Sequence, residues 1–157
     1  MIYAAGLRVG EVTTLTVESL RSDLGILRCF GKGSKERIVP VSRSAMAAVQ
    51  RYVEVERPRL VRRSKTDLLF VSRGGKGLGR EVVNAFLKKY AMIAGISGSI
   101  TPHTLRHSFA THMIQRGADL RVVQEILGHV KVDTTEIYTH LNNFDLRSTI
   151  KKYHPRG

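Results

Sequence analysis

The chain has 157 residues, 42% of them hydrophobic and 25% charged, which is the size and composition of one globular domain. Lys and Arg number 26 against 13 acidic residues. The net charge of +13 favours a polyanionic partner, with nucleic acid ahead of an anionic membrane and of a merely very soluble or ribosomal protein. No apolar run approaches the roughly 18 residues of a membrane span, and the start of the sequence lacks signal-peptide features. The single cysteine, Cys29, excludes an internal disulfide. We therefore expect a cytoplasmic protein.

The N-terminal half is predicted to combine helices with a small antiparallel sheet. Residues 1–10 have the pattern of the middle of a helix, without a capping residue ahead of the apolar stretch. β-favouring segments at Ile26–Phe30 and Arg37–Val41 flank a Gly-Lys-Gly-Ser turn, which predicts a hairpin, and a segment near Thr16–Leu20 can add a third strand. Ser44–Arg57 then has apolar residues at helical spacing.

The C-terminal half is predicted to be helical. A Gly-rich loop at Gly74–Gly79 precedes a helix from about Arg80 to Ala94. Thr101 and Pro102 are typical of an N-cap and a first helical position, and the helix that they open runs to Arg116. The remaining predicted helices are 119–128, which Asp119 caps and Gly128 ends, 134–142 and 145–153. The fold class is therefore α+β, mainly α-helical, in one domain without repeats or linkers.

The helix that begins after Thr101 places His103, Arg106 and His107 within an arc of about 100°. The apolar stripe beside this arc, which we expect to pack inward, consists of Leu105, Phe109 and Met113. His103 and Arg106 can then emerge together at the edge of the core and face one ligand. The pattern lacks the glutamate of a His-Glu-x-x-His zinc motif and has no Cys cluster, so we predict no metal site and interpret His107 and His112 as structural.

Several further residues are weak signals when each is taken alone. A helical tyrosine such as Tyr138 usually packs, and Lys32, in a Gly-flanked turn, most often contacts solvent or a phosphate. In combination they matter more. Two arginines, two histidines, a hairpin lysine and a downstream tyrosine form an inventory suited to phosphoryl transfer: Arg8, Arg106, His103, His129, Lys32 and Tyr138.

The chain resembles the catalytic domain of the tyrosine recombinases, the phage integrase family, and in particular the Xer type. The resemblance runs along nearly the whole chain and rests on AAGLRVGEV, GKGSKERIVPVS, the long stretch from TPHTLRHSFATHM to LGHVKVDTTEIYTH, and HPRG. It implies a helical catalytic fold with a small three-stranded antiparallel sheet. It also implies cofactor-free and metal-free cleavage and rejoining of DNA strands through a 3′-phosphotyrosine.

The resemblance assigns roles to individual residues. The catalytic residues that it implies are Arg8, Lys32, His103, Arg106, His129 and Tyr138, with Glu11 in support of Arg8. Tyr138 is the nucleophile, His103 is its base, and Lys32, in preference to Lys35, protonates the leaving 5′-oxygen. We expect the DNA backbone to be contacted by Lys35, Arg37, Arg73, Lys76, Arg80, Lys88 and Lys89.

The resemblance also sets expectations for assembly. Double-stranded DNA is the expected partner, bound by a tetramer in which residues 145–153 dock on a neighbouring protomer, whereas in the free chain they fold back or fray. Members of the family have an N-terminal DNA-clamping domain and further helices ahead of the position of Arg8, and we expect both to be missing here. The resemblance also implies a bacterial, nucleoid-associated location. Two alternatives stay open: a type IB topoisomerase-like nicking-closing enzyme, and a module that binds DNA without cutting it.

Overall fold

The computed structural model describes residues 1–30, 36–128 and 143–157, with the backbone alone described at 143–145. Over these residues the chain forms helices around one small sheet. The helices are α1 (Ile2–Ala5), α2 (Val9–Thr14), α3 (Arg43–Arg51), α4 (Arg57–Leu60), α5 (Arg80–Ile93), α6 (Pro102–Gln115), α7 (Leu120–Leu127) and α8 (Asn143–Tyr153), and the strands are β1 (Leu20–Arg21), β2 (Ile26–Phe30) and β3 (Glu36–Pro40). A π-helical segment, Tyr52–Glu56, joins α3 to α4. The predicted α+β, mainly helical class is confirmed.

The sheet is three-stranded and antiparallel in the order β1-β2-β3, with Leu27 opposite both Leu20 and Val39. The predicted bounds of β2 are confirmed, and β3 begins one residue earlier than predicted. The third strand lies at Leu20–Arg21 rather than near Thr16–Leu20, because Thr16 forms an isolated bridge with Leu68 instead. The predicted turn of the hairpin lies outside the described residues.

The prediction of one helix over residues 1–10 is wrong, because the chain turns at Gly6. There φ is 60° and ψ is 27°, a left-handed conformation that ends α1. A Cβ at this position would lie 2.8 Å from both Leu127 Cδ2 and Phe109 Cδ1. The chain then passes through Arg8, whose extended backbone makes it the N-cap of α2. The turn therefore places Arg8 at the start of a new helix.

The predicted limits of α6 and α7 are confirmed by their caps. Thr101 Oγ1 accepts a hydrogen bond of 3.1 Å from the backbone N–H of Thr104. Asp119 Oδ1 accepts one of 2.7 Å from the N–H of Arg121, and Gly128 ends α7 with φ 64°. Such caps satisfy backbone groups that a helix leaves without partners, and local sequence is enough to specify them. The helix predicted over 134–142 lies outside the described residues.

The core is built mainly by α6, α7 and the sheet, and α8 covers it. The apolar side chains that are almost completely buried include Leu7, Leu27, Val39, Leu69, Phe109, Met113, Val123 and Ile126. Leu146 and Ile150 of α8 belong to the same cluster, and the helix contacts β3 and α6. His154 follows α8 and is buried, with Nε2 3.2 Å from the carbonyl oxygen of Tyr3. The tail therefore folds back on its own chain.

The long helix α5 is packed differently from the others. It has the predicted bounds to within one residue, yet Ala91 is its one buried residue. Apolar side chains spaced along it are exposed, among them Phe86, Tyr90 and Ile93. Among the residues that the structure describes, no helix has the length and apolarity needed to cross a membrane.

Candidate active site

The carboxylate of Glu11 lies at the centre of a group of arginines at the start of α2. Glu11 is 6% exposed, and its Oε2 accepts a hydrogen bond of 2.7 Å from the backbone N–H of Arg8. Its Oε1 accepts from the Arg8 guanidinium at 3.2 Å. The local sequence explains this arrangement, since a glutamate three residues after the N-cap can bond back to the N-cap backbone. The Arg8 side chain, 44% exposed, is thereby held at the start of its own helix.

Arg37, in β3, binds the same carboxylate. Its Nη1 donates to Glu11 Oε1 at 2.5 Å and its Nη2 to Oε2 at 2.9 Å, which is a two-point ion pair. The Arg37 side chain is 12% exposed, and its buried Nε has no hydrogen-bond partner among the described residues. Each oxygen of Glu11 therefore accepts hydrogen bonds from both Arg8 and Arg37.

Arg106 of α6 connects the turn before α2 to the end of α7. Its guanidinium donates to the carbonyl oxygen of Gly6 and, at 2.5 Å, to that of Leu127. Arg8 reaches the same place, because its Nη2 donates at 3.3 Å to the carbonyl oxygen of Gly128. These last carbonyls have no partners within the helix, so a guanidinium satisfies them well. Two arginines from distant parts of the sequence are thus brought together at one helix end.

Burial and neighbouring charge shift the pKa values of this cluster. Burial lowers the pKa of Arg106 to about 10, with a further contribution from the positive charge of Arg8, so the guanidinium stays charged at neutral pH. Burial raises the pKa of Glu11, but the hydrogen bonds from Arg37 and Arg8 and their charges outweigh it, and the pKa lies below its ordinary value. Three guanidinium groups around one carboxylate leave net positive charge, which suits an anionic ligand.

The histidines of α6 lie mostly at the surface. His103, one turn before Arg106, is exposed, as is His107 one residue after it. The expectation that His103 and Arg106 emerge together is wrong for Arg106, which is 8% exposed because its guanidinium turns inward to the two carbonyl oxygens. His112 is exposed, and its Nδ1 lies 2.9 Å from the hydroxyl of Tyr3. His112 therefore joins α6 to α1, in agreement with a structural role.

Four predicted site residues lie outside the described part of the chain: Lys32, Lys35, His129 and Tyr138. Two of them, His129 and Lys35, directly adjoin described residues in the sequence. Gly128, whose carbonyl oxygen binds Arg8, directly precedes His129 in the sequence. Glu36, the first residue of β3, directly follows Lys35.

Five of the residues predicted to contact DNA are exposed, on α5 or on the loop before it: Arg73, Lys76, Arg80, Lys88 and Lys89. Arg80 extends over α2, since a Cβ at Gly10 would lie 3.0 Å from its Nη2. Arg37 differs from these five, because its guanidinium is largely buried and bound to Glu11. A DNA contact by Arg37 stays a prediction, and the structure places this side chain within the arginine cluster.

The ion pair between Arg37 and Glu11 is not among the predictions from the sequence, although the sequence contains a signal for it. Arg37 and the apolar Val39 are two residues apart in a strand, so they share a face. A charged residue on the inward face needs a partner of opposite charge. In the sheet Arg37 lies opposite Cys29, whose pKa burial raises to about 11.

Comparison with known proteins decides the family. The sequence profile described as the phage integrase family matches residues 1–144. The chain belongs to this family. Relatives include the tyrosine recombinase XerD of Lacticaseibacillus casei, 48% identical over 157 residues, and that of Staphylococcus epidermidis, 44% identical over 157 residues. These matches cover 100% of this chain but 54% and 53% of the relatives, so the chain spans about half of their length.

Solved structures of the family have the same fold. The crystal structure of XerA recombinase matches 99% of this chain and 56% of its own, with a TM-score of 0.76 and 34% identity. XerH site-specific recombinase, bound to difH substrate in a pre-cleavage complex, matches 89% of this chain and 40% of its own, with a TM-score of 0.71 and 30% identity. The predicted tyrosine recombinase catalytic fold is confirmed.

Proposed function

We propose that residues 1–157 form the catalytic domain of a site-specific DNA recombinase, which cleaves and rejoins strands through a 3′-phosphotyrosine. The observation that carries this proposal is the meeting of Arg8 and Arg106 at the end of α7, with His103 one turn away on α6. Three similar proteins support it. The relatives named XerD are tyrosine recombinases, and the XerH structure contains a site-specific recombinase with its substrate before cleavage.

Arg8 and Arg106 are the proposed clamp for the scissile phosphate. A phosphodiester resists attack because its anionic oxygens repel the nucleophile, and guanidinium donors offset that charge, most strongly where it develops in the transition state. The bonds from Arg106 to the carbonyl oxygens of Gly6 and Leu127 restrict the guanidinium before any ligand arrives. Such preorganisation is what makes a charged donor effective in catalysis. The clamp supplies its charge without a metal ion.

The remaining roles belong to residues that the resemblance assigns. A tyrosine hydroxyl ordinarily titrates near pH 10, so Tyr138 requires a base, and His103 is proposed to accept its proton. The bond from Tyr138 Oη to phosphorus forms as the bond from phosphorus to O5′ breaks, while Lys32 protonates the departing O5′. His129 donates to the phosphate. Because the phosphotyrosine keeps the energy of the broken bond, a 5′-hydroxyl can reverse the step without ATP.

Double-stranded DNA is the proposed partner, held by the exposed basic residues on and before α5. Protomers are proposed to assemble as a tetramer on DNA, with α8 of one docking on the next. Because Leu146 and Ile150 are buried within their own chain here, such assembly requires that contact to be exchanged. The named relatives are bacterial, which supports action at the nucleoid in the cytoplasm.

The central test is a covalent adduct with DNA. On a nicked suicide duplex that contains the recombination site, the wild-type full chain should leave a DNA adduct that survives denaturation. Tyr138→Phe should bind the duplex with nearly unchanged affinity but form no adduct, since it removes one hydroxyl. Tyr153→Phe is the matched control and should retain the adduct. Arg106→Ala should slow cleavage by about a hundred- to a thousandfold, and chelation of divalent metals should leave the rate unchanged.

Each alternative function gives a different result in the same assays. An adduct that persists in Tyr138→Phe, or that maps to Tyr153, contradicts the proposed nucleophile. Relaxation of supercoiled DNA that lacks a recombination site would instead support a nicking-closing enzyme. Tight binding without any adduct in the wild type would support a module that binds DNA but does not cut it.

A further inference from the structure

The contacts of Arg37 extend beyond the ion pair with Glu11. A Cβ at Gly128 would lie 3.1 Å from Arg37 Nη1 and 3.3 Å from its Cζ, so the guanidinium lies against the end of α7. Its own carbonyl oxygen is 3.6 Å from the Sγ of the buried Cys29. Arg37 therefore binds the carboxylate that holds Arg8 and lies beside Gly128, whose carbonyl oxygen binds Arg8.

The bond lengths indicate which arginine is the main partner of Glu11. Arg37 donates at 2.5 and 2.9 Å, whereas the guanidinium of Arg8 donates at 3.2 Å. Arg37 is also far less exposed than Arg8, so its attraction to the carboxylate is less screened by solvent. The carboxylate is thus neutralised chiefly by Arg37, and the charge of Arg8 stays available to a ligand.

Removal of Arg37 would leave Glu11 in a difficult position. A buried carboxylate with only a half-exposed partner is costly, and it relieves that cost by taking up a proton. A protonated Glu11 keeps one strong acceptor, its carbonyl oxygen, while the oxygen that carries the proton accepts only weakly, so the carboxyl group holds the backbone N–H and the guanidinium of Arg8 less firmly. Arg8 would then lose its orientation.

We propose that Arg37 is a positioning residue for strand cleavage, which holds Glu11 ionised and in place so that Glu11 orients Arg8 toward the scissile phosphate. This inference rests on the proposed function, in which Arg8 is one half of the phosphate clamp. In this proposal Arg37 acts through Glu11 rather than directly on the reacting atoms. The same hairpin provides a comparison, since Arg28 and Glu36 form an ion pair whose side chains are both exposed and do not contact Glu11.

The experiment compares single-turnover cleavage of the suicide duplex across pH in the full chain and its variants. Arg37→Gln should cleave about a hundredfold more slowly under mildly acidic conditions, the size of effect expected when a catalytic group is misplaced by about 1 Å. Arg37→Lys should recover part of the rate, because it restores the charge without the two-point geometry. Arg28→Gln, the matched control, should cleave at the wild-type rate.

The pH profile separates positioning from a purely structural role. In Arg37→Gln the rate should fall more steeply on acidification than in the wild type, because Glu11 takes up a proton in addition to the groups that both proteins share. Adding Glu11→Gln to Arg37→Gln should remove this additional loss, because the Glu11 carboxylate is no longer there to titrate. The double variant pairs two amides, so it also shows whether the fold survives without the ion pair. A carbon-13 NMR titration of Glu11 without DNA should give a higher pKa in Arg37→Gln than in the wild type.

Two results would overturn the inference. If Arg37→Gln loses thermal stability but cleaves at the wild-type rate and with the wild-type pH profile, the ion pair is structural only. If the Glu11 pKa is the same in Arg37→Gln as in the wild type, Arg37 does not hold the carboxylate ionised. Absence of cleavage in the wild type itself is a different result, since it refutes the proposed function and with it any positioning role for Arg37 in cleavage.

Discussion

Replacing Gly6 with alanine tests whether the turn between α1 and α2 is set by packing as well as by backbone conformation. Gly6 has φ 60°, and an added Cβ would lie 2.8 Å from Leu127 Cδ2 and 2.8 and 2.9 Å from two ring atoms of Phe109. Phe109 is completely buried and Leu127 almost so. Because a close-packed core has little free volume, neither side chain can move away without disturbing its neighbours.

The expected loss of stability in Gly6→Ala has two parts. A left-handed backbone costs an L-residue about 1–2 kcal/mol relative to glycine. An extra carbon in a packed core adds about 1–3 kcal/mol. Gly6→Ala should therefore lower the free energy of unfolding by about 2–5 kcal/mol, a large part of the stability of a domain of this size.

Two other glycines separate these parts in urea titrations followed by circular dichroism. Gly95 also has positive φ, 67°, but nothing lies within 4 Å of an added Cβ, so Gly95→Ala should lose only the backbone part, about 1–2 kcal/mol. Gly74 has neither feature, and Gly74→Ala should be within about 0.5 kcal/mol of the wild type. Equal losses in Gly6→Ala and Gly95→Ala would refute the packing argument, and wild-type stability in Gly6→Ala would refute both parts.

Three further predictions concern titration, DNA affinity and thiol reactivity. Burial lowers the pKa of His154. The stability that its neutral form contributes is therefore complete above the ordinary histidine pKa, about 6.5, and is lost as pH falls through the lowered value. Below a pH of about 6.5, the thermal unfolding temperature of His154→Gln should depend less on pH than that of the wild type. The double variant Lys88→Gln and Lys89→Gln should bind DNA more weakly in fluorescence anisotropy titrations. The slope of log affinity against log salt concentration should become shallower by about 0.9 for each phosphate that the protein no longer neutralises. Cys29 is buried, and burial raises its pKa to about 11. Iodoacetamide should therefore modify Cys29 slowly in the folded chain and rapidly in urea. Fast modification of the folded chain would contradict the burial of this thiol.

The sequence alone determined the elements whose ends depend on neighbouring residues. Thr101 and Pro102 begin α6, while Asp119 begins and Gly128 ends α7, as predicted. Each of these signals acts through a hydrogen bond or a backbone preference that spans only a few residues. The family, too, could be predicted from the sequence, because its motifs are fixed combinations of residues along the chain.

Tertiary structure decided where the candidate site residues point. The break at Gly6 is imposed by Leu127 and Phe109, which are remote in sequence, so the local apolar pattern predicted a continuous helix. The helical spacing predicted Arg106 at the edge of the core. Its guanidinium instead turns inward and donates to carbonyl oxygens of α7 and of the turn at Gly6. The two-point ion pair of Glu11 likewise depends on Arg37, which lies in β3, the strand that follows β2 in the sequence. Burying a charge requires partners, and only the assembled fold brings those partners within hydrogen-bonding distance.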